Sequence, residues 1–364
     1  MTRPRIAYVI NSVEGGGAAM PVPAIAGVLC EAGAEVAIFA LTRRDGRAIA
    51  AMEASGLSLT VREGGETDHI AALRWLDRSA VAWRATHLFT SLTRATLLGQ
   101  LVGWRRRLPV ASWQHAAYLK PANLRLLRAL RPLARLWVAD SHAVAALTAK
   151  RLRVPASKLM IWPLFAADRA APQATPWQAG EALRLGSLGR LHPVKGYDIL
   201  IAALARLRAD GFTSPVPYTI AIAGEGAERD RLDAAARAAG VADCLSLPGF
   251  VARPRDFLAG LHLYLQPSRS EGLCLATHEA MQAGLASIVS AVGELPYSVE
   301  NGVSGLLVPP AEPQALAVAL ATLVADPARL TALGAAARDR VRARFSQDAF
   351  TANGHAVLAR LTDG

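Results

Sequence analysis

Cysteine is scarce in this 364-residue sequence, with three residues spread over positions 30, 244 and 274. An odd number of separated cysteines supplies neither a disulfide framework nor a Cys-x-x-Cys metal site, so we expect a reducing, cytoplasmic environment. No uncharged apolar run reaches the ~18 residues that cross a bilayer, and the first residues hold too few apolar side chains for a signal-peptide core. We expect no bound metal and no other cofactor, and the absence of an Asp-x-Asp metal signature agrees with the first of these expectations.

Acidic residues are scarce in one half of the chain only. Residues 1–182 carry 23 Lys and Arg against 12 Asp and Glu, whereas residues 183–364 carry 17 of each. Residues 105–158 hold 12 basic residues and a single acidic one, Asp140. The whole excess of positive charge therefore belongs to one segment of the first half.

Within that segment, the run "NLRLLRALRPLARLW" (123–137) alternates arginine and leucine at helical spacing. The spacing predicts a basic amphipathic helix that Pro132 kinks or restarts. Its arginines, on one side, are Arg125, Arg128, Arg131 and Arg135. Such a stretch binds an anionic membrane surface at ~1 kcal/mol per well-placed cation, or it is an ordinary helix that packs its leucines on a sheet. Without an aromatic platform or a known module, we expect no nucleic acid as partner.

Apolar strand-like runs alternate with alanine-rich helical runs through almost the whole chain. Residues 5–11, 19–33 and 35–41 predict a strand, a helix and a strand, and the same order restarts at 182–189. This alternation predicts an α/β fold with doubly wound parallel sheets and helices on both faces.

Residues 166–182 are rich in Ala and Pro and have no periodicity, which is typical of a linker. We therefore expect one domain at 1–165, a second at 183–345, and a C-terminal helix at 346–364 that can pack back on the first domain. Doubly wound domains bind ligands outside the carboxyl ends of their strands. The predicted active site is a cleft between the two domains.

The segment "GRLHPVKG", Gly189 to Gly196, follows a predicted strand and precedes a predicted helix. Its two cations are Arg190 and Lys195. A guanidinium binds phosphate oxygens as a bidentate fork and an ammonium binds them as a compact charge, so the pair suits a diphosphate. Two solvated surface cations are an equally good interpretation of this segment alone.

The segment "SRSEGLCLATHEAMQAG" (268–284) contains two glutamates at the start of a predicted helix, Leu273 to Gln282. Free amides at the helix start would bind an anion, and Glu271 just before it would accept hydrogen bonds from sugar hydroxyls. Glu279 lies about two turns further on, so it would reach another part of one long ligand. Alternatively, Glu271 only interacts with the helix dipole, worth ~0.3–1 kcal/mol, and Glu279 is solvated. We interpret His278 as incidental.

Five segments occur in an order that resembles a known family: "GRLHPVKG", "IAGEGAERDRL", "LPGFV", "LQPSRSEGLCLATHEAMQAG" and "NGVSGLLVPP". Over residues 186–345 they resemble the C-terminal domain of retaining glycosyltransferases of family 4. The first half is less similar and matches through "INSVEGGGAAM", "ASWQHAAY" and "VADSHAVAAL". The resemblance implies two Rossmann-like domains (the GT-B fold), a UDP-, GDP- or ADP-sugar donor, and a glycan or lipid-linked acceptor. It also implies a role in the synthesis of cell-envelope polysaccharide or glycolipid. The protein would then be cytoplasmic and peripheral on the inner face of the cytoplasmic membrane.

The resemblance implies a role for each matching position. Arg190 and Lys195 would hold the donor diphosphate, while Glu279 would contact the ribose. Glu271 would contact the transferred sugar, and His115 would approach its 6-hydroxyl; with the two cations these would form the catalytic group. The remaining implied donor contacts are Gly15, Gly16 and Gly17 to the diphosphate, Gly224, Gly226, Gly249, Phe250 and Val251 to the nucleotide, and Gly272, Leu273, Cys274 and Leu275 to sugar and phosphate.

The sequence departs from the family pattern near the sugar. The family has Phe-Gly where Leu273 and Cys274 stand, Pro at Ala286, Gly at Glu294 and Glu at Tyr297. These departures leave the identity of the donor sugar open, and they do not affect the diphosphate cations or the two glutamates.

Three other functions are compatible with parts of the sequence. A sugar-nucleotide epimerase on the same scaffold would share the diphosphate site, and a non-catalytic homologue would only bind the sugar nucleotide. An NADP dehydrogenase is suggested by Arg43 and Arg44 after the second strand, but "GGGAAM" lacks the third glycine of the dinucleotide fingerprint.

Overall fold

The computed structural model describes residues 3–115 and 119–363 of the chain. These fall into two compact units, Met1–Phe165 together with Gln347–Gly364, and Ala166–Ser346. Each unit contains one parallel sheet flanked by helices, which confirms the predicted doubly wound α/β class.

The first unit has a seven-stranded sheet in the order β3-β2-β1-β4-β5-β6-β7. Its strands are β1 (Arg5–Ser12), β2 (Glu35–Thr42), β3 (Ser58–Val61), β4 (His87–Ser91), β5 (Val110–Gln114), β6 (Leu136–Ala139) and β7 (Leu159–Ile161). Residues 6–10 of β1 are completely buried, as expected for a central parallel strand covered on both faces. The strand order reverses between β1 and β4, so the loops that follow these strands diverge and leave a crevice at this point.

The second unit has a six-stranded sheet in the order β10-β9-β8-β11-β12-β13. Its strands are β8 (Leu183–Leu188), β9 (Tyr218–Ala223), β10 (Leu245–Gly249), β11 (Leu263–Gln266), β12 (Ala286–Ser290) and β13 (Leu306–Val308). The order reverses between β8 and β11, which pair directly through Leu185 and Leu263. The two segments singled out by their charges, "GRLHPVKG" and "SRSEGLC", follow these two strands.

The helices connect the strands in chain order. They are α1 (Val22–Glu31), α2 (Ile49–Ala54), α3 (His69–Ala82), α4 (Thr93–Arg106), α5 (Pro121–Leu130), α6 (His142–Leu147), α7 (Tyr197–Ala209), α8 (Arg229–Ala238), α9 (Pro254–Ala259), α10 (Leu275–Gln282), α11 (Leu295–Ser298), α12 (Pro313–Ala325), α13 (Ala328–Arg344) and α14 (Gln347–Thr362). Helix α1 begins later than the predicted residue 19, because the prolines at 21 and 23 fit only the first turn.

Helix α14 is part of the first unit although it ends the chain. It packs on α1, and its Phe350 ring lies 5.5 Å from the buried Trp162 ring. Gly354 permits this contact, because a Cβ there would lie 2.6 Å from Trp162 Cζ2.

The basic run at 123–137 is not one helix. Helix α5 ends at Leu130, and a single 3₁₀ turn, Arg131–Leu133, leads to β6, because Pro132 has no N–H to continue the helix. Arg135 therefore lies outside the helix, and the prediction that it shares a helix face with Arg125 is wrong. Arg128 donates to the carbonyl of Arg151 at 2.6 Å, so it also braces a neighbouring segment.

Within residues 3–115 and 119–363, no single helix is long and apolar enough to cross a membrane; one bent pair, Pro313–Ala325 with Ala328–Thr362, meets that test by length and composition only.

Candidate active site

The loops after β8 and β11 are held together at the switch point of the second unit. The amide of Arg269 donates to the carbonyl of Val194 at 2.8 Å. Gly196 has a φ of +69°, and a Cβ there would overlap the backbone of Pro267, so only glycine fits between the two loops. This close approach brings the Lys195 side chain onto the loop that carries Glu271.

Lys195 and Glu271 form a partly buried ion pair at this point. The Lys195 ammonium lies 2.7 Å from Glu271 Oε1, and the two side chains are 17% and 9% exposed. Ser268 and Gln266, both fully buried, also donate to Oε1, at 2.6 and 3.2 Å. Tyr264 in turn donates to the amide oxygen of Gln266, which fixes the orientation of that amide.

Three donors thus converge on one oxygen of Glu271 and leave the other available. Among the residues that the structure describes, none donates a hydrogen bond to Glu271 Oε2. A carboxylate has about four acceptor positions, so Oε2 can accept from a ligand without disturbing the bonds on Oε1. The buried network therefore orients Glu271 and keeps one oxygen for substrate.

The protonation of Lys195 is set by competing effects. Burial disfavours its charged form, but Cys274 and Glu271 outweigh burial and raise the lysine pKa above its usual value. Burial also raises the pKa of the Cys274 thiol to about 12, so this thiol is neutral near pH 7. Glu271 is therefore the group that keeps Lys195 charged at neutral pH.

Helix α10 begins at Leu275, two residues later than predicted. Cys274 precedes it with a φ of +65°, a left-handed conformation that disfavours residues other than glycine. Its carbonyl accepts the first intrahelical bond, from the Thr277 amide at 3.2 Å. The amides of Leu273, Cys274 and Leu275 precede this bond, and free amides at a helix start attract anions.

Glu279 lies in the middle of α10 and is partly buried. Burial raises the pKa of its carboxyl group, and Arg255 opposes this effect. No residue in the described part of the chain donates a hydrogen bond to this carboxylate. A partly buried carboxylate without a donor is costly, so a ligand with hydroxyl groups would satisfy it.

The other predicted residues of the second unit border these loops. Arg190 is exposed in the loop after β8, whereas Phe250 is 51% exposed beside Val251 after β10. Gly224 and Gly226 have φ angles of +145° and +157°, and a Cβ at either would meet the backbone of residues 189–191. These two glycines therefore let the loop after β9 support the loop of Arg190.

Gly249 ends β10 with a φ of +85°, and its carbonyl accepts from the Gly224 amide at 2.7 Å. This bond ties the loop after β10 to the loop after β9. That Gly249 and its neighbours contact a nucleotide stays a prediction.

In the first unit, the glycines at positions 15–17 form a turn after β1. The amide of Gly15 donates to Asp45 at 2.9 Å, and Glu14 pairs with Arg44 at 2.6 Å. Arg44 also pairs with Glu66 at 2.7 Å, so the loops after β1, β2 and β3 are linked through one guanidinium. Arg44 is thus engaged by two carboxylates of its own unit.

His115 follows β5 directly and lies beside two buried polar side chains, Ser91 at the end of β4 and Asp140 just after β6. Its Nε2 lies 2.7 Å from Ser91 Oγ, and its Nδ1 lies 3.6 Å from Asp140 Oδ2. Both nitrogens therefore face the interior of the unit, and the predicted contact with a sugar 6-hydroxyl stays a prediction. Ser141 caps helix α6, since its hydroxyl accepts from the Val144 amide at 3.2 Å.

His278, which the sequence indicates to be incidental to the ligand site, has a structural role. The ring is fully buried, with Nδ1 2.9 Å from the Cys274 carbonyl and Nε2 2.8 Å from Ser298 Oγ. Burial lowers the pKa of His278 to about 4, so the neutral ring donates from Nδ1 to the helix start. The separation of four residues from Cys274 was the available signal, because it places the ring over the first turn of the helix.

Comparison with known proteins gives a family match within the second unit. Residues 176–340 match the model of the family described as glycosyl transferases group 1. A D-inositol 3-phosphate glycosyltransferase from Segniliparus rotundus is 33% identical over 191 residues, which cover 51% of this chain and 42% of that protein. The lipopolysaccharide core biosynthesis mannosyltransferase LpcC from Rhizobium leguminosarum is 32% identical over 167 residues, 44% of this chain and 46% of that protein.

The chain thus spans less than half the length of these curated relatives. Among solved structures, Anabaena Alr3699/HepE in complex with UDP-glucose superposes with a TM-score of 0.82 over 98% of both chains, at 21% identity. Sucrose-phosphate synthase from Thermosynechococcus elongatus gives 0.80 over 99% of both chains, also at 21% identity. These two similarities support the GT-B fold. The family match confirms the resemblance seen in the sequence over the C-terminal unit, where residues 176–340 are similar to the glycosyl transferases group 1 family.

Proposed function

We propose that this protein transfers a sugar from a nucleotide diphosphate sugar to a glycan or lipid-linked acceptor, with retention of configuration. The observation that carries the proposal is the arrangement of Glu271. Three donors fix its Oε1, and its Oε2 is left for a ligand beside a buried ammonium and an open helix start. A sugar diphosphate provides hydroxyls for the carboxylate and negative charge for Lys195 and the α10 amides.

The proposed catalysis is stabilisation of the departing diphosphate. Negative charge grows on that group as the sugar leaves, and preorganised donors then act more strongly than in the ground state. Lys195, the exposed Arg190 and the amides before Thr277 are the donors assigned to this role. Glu271 is assigned to the transferred sugar, as the family resemblance implies.

Glu279 is assigned to the ribose. Its carboxylate is partly buried and receives no hydrogen bond from the described residues, and a ribose offers two adjacent hydroxyl donors. The nucleotide base and the sugar stay open: the neighbour HepE was solved with UDP-glucose, while a relative at 33% identity is named a GDP-mannose-dependent mannosyltransferase.

An envelope glycan or glycolipid is the proposed acceptor class. Named relatives act on inositol phosphate, on phosphatidylinositol mannoside and in lipopolysaccharide core synthesis. The first unit also offers exposed cations and large apolar side chains on the packed helices α4 and α5, including Trp104, Arg105, Arg125 and Leu126. We assign these helices to an anionic membrane surface on the cytoplasmic side.

Product analysis tests the proposed reaction. The protein is incubated with UDP-, GDP- and ADP-sugars and lipid or glycan acceptors, and the products are separated by mass spectrometry and NMR. A new glycosidic bond with the anomeric configuration of the donor is the expected result. An epimerised free sugar nucleotide would favour the epimerase instead, and binding without any product would favour a non-catalytic homologue.

A further inference from the structure

The loop after β12 lies directly behind the loop that carries Glu271. The amide of Glu294 donates to the carbonyl of Gly272 at 3.0 Å. Gly293 has a φ of +58°, and a Cβ there would lie 2.7 Å from the same carbonyl oxygen. The backbone of residues 293–294 is therefore a support on which the segment 271–272 rests.

The side chain of Glu294 fixes the position of this support. It is 1% exposed, and its carboxylate is paired with the guanidinium of Arg344, the last residue of α13. Arg344 also donates to the carbonyl of Tyr297, and Arg340, one turn earlier, donates to the carbonyl of Ser298 at 2.8 Å. Helix α11 is thus fastened to the end of α13 by two arginines.

A buried ion pair contributes little net stability, because desolvation of the two charges offsets their attraction. We therefore interpret this ion pair as one that fixes the positions of its two residues rather than one that stabilises the fold. Glu294 combines a buried charge with a backbone amide that binds Gly272, so its ion pair can affect the position of the loop that carries Glu271.

His278 makes a second connection between the same elements. It binds the Cys274 carbonyl and Ser298 of α11, and its ring meets the Phe345 ring edge-on at 4.7 Å between centroids. The two ends of the segment 272–274 are therefore held by α11 and the end of α13, one through Glu294 and the other through His278.

We propose that Glu294 is a positioning residue for donor turnover. Its ion pair with Arg344 holds the backbone of Glu271 and Gly272 in the position that contact with the transferred sugar requires. This inference rests on the proposed glycosyltransferase function. Positioning errors of about 1 Å cost as much as ~100-fold in rate, so loss of the anchor affects kcat more than nucleotide affinity.

Glu294→Gln tests this role, because glutamine keeps the shape and removes the charge that Arg344 neutralises. We expect kcat for the donor to fall by about tenfold to 100-fold per folded molecule. We also expect the dissociation constant of the nucleoside diphosphate to change by less than about threefold, and amide hydrogen exchange at residues 271–275 to accelerate. Arg344→Lys, which keeps the charge, should give an intermediate kcat, and it replaces Glu294→Gln if that variant fails to fold.

Glu300→Gln is the matched control. Glu300 pairs with Arg340 of the same helix α13 at 2.9 Å, but this pair is exposed and Glu300 makes no bond to Gly272. Wild-type kcat and unchanged exchange at 271–275 in Glu294→Gln, at equal folded fraction, would overturn the inference. If the wild-type protein turns over no donor, the proposed function fails; the exchange measurement then still decides whether Glu294 holds the loop.

Discussion

Burial gives single residues of the second unit properties that their chemistry alone would not predict. His278 and Cys274 lie within four residues of each other, and both are held in their neutral forms by desolvation. Lys195 is less enclosed, with 17% of its side chain exposed, and it stays charged because a carboxylate lies 2.7 Å away. The difference between these residues is the presence of a partner of opposite charge.

The low pKa of His278 makes stability depend on acidity. In the unfolded chain this histidine takes up a proton near pH 6.5, whereas the folded protein resists protonation until about pH 4. The unfolded state therefore binds more protons in this window, and the free energy of unfolding falls as pH drops from about 6.5 to about 4. The expected contribution is ~1.4 kcal/mol per pH unit, measured by chemical denaturation across this range.

His278→Gln removes the titrating ring, so its unfolding free energy should lose that part of the slope. His355→Gln is the control, because His355 is exposed on α14. Equal slopes between pH 4 and 6.5 for the wild type and His278→Gln would refute the assigned cause.

Sequence patterns identified Lys195 and Glu271 but not what surrounds them. Both stand in loops after predicted strands, and parallel strands place such loops at one edge of a sheet, which is enough to predict their proximity. The donors Ser268 and Gln266 are ordinary polar residues whose role depends on side-chain orientation. For the same reason, the sequence does not indicate the contact between Arg344 and Glu294. This contact forms only because α13 returns to the sheet fifty residues later.

At the scale of elements, the start of α10 decides the shape of the anion site. The sequence predicted the helix itself correctly, because its apolar face and Gly284 are local signals. It placed the start too early, because nothing local indicates that Cys274 adopts a left-handed backbone. With that conformation, the amides of residues 273–275 lie outside the hydrogen-bond pattern of the helix.

The strained backbone of Cys274 predicts an unusual order of variant stabilities. Cys274→Ala keeps a Cβ in the left-handed region and loses the sulfur contact with Thr277. Cys274→Gly loses the same contact but relieves strain of ~1–2 kcal/mol. The glycine variant should therefore be at least as stable as the alanine variant in thermal denaturation, although it removes more atoms. A glycine variant less stable than alanine by more than 1 kcal/mol would show that Cys274 carries no such strain.

In helix α5, the structure follows the periodicity of the sequence only in part. Arg131 and Arg135 continue the spacing of the earlier arginines, but a proline between them ends the helix. Leu126, expected on the packed side, is 52% exposed, so the apolar side of the run is not uniformly buried. Periodicity predicted the first two turns of the helix. It could not predict which of the other side chains tertiary contacts bury.

At the scale of the whole molecule, charge divides the chain between its two halves. The excess of positive charge lies in residues 1–182, which include the exposed ends of α4 and α5. The predicted consequence is binding to vesicles with anionic lipids at low salt, measured by flotation, and release as salt rises, since exposed charges are screened. Replacing Arg105, Arg107 and Arg125 with Gln should reduce binding, whereas replacing three exposed arginines of the second unit, Arg206, Arg237 and Arg253, should not. Equal flotation of both triple variants would refute the assignment to α4 and α5.

The proposed activity depends most on the ammonium of Lys195. The decisive measurement is steady-state turnover of the nucleotide sugar by Lys195→Ala against Arg206→Ala, which removes one cation of an exposed pair on the adjoining helix α7. Loss of a preorganised donor to the departing group predicts that Lys195→Ala lowers kcat/KM by about 10²–10³-fold and that Arg206→Ala stays near wild type. Equal turnover by both variants would contradict the assignment of Lys195, and with it the proposed mechanism.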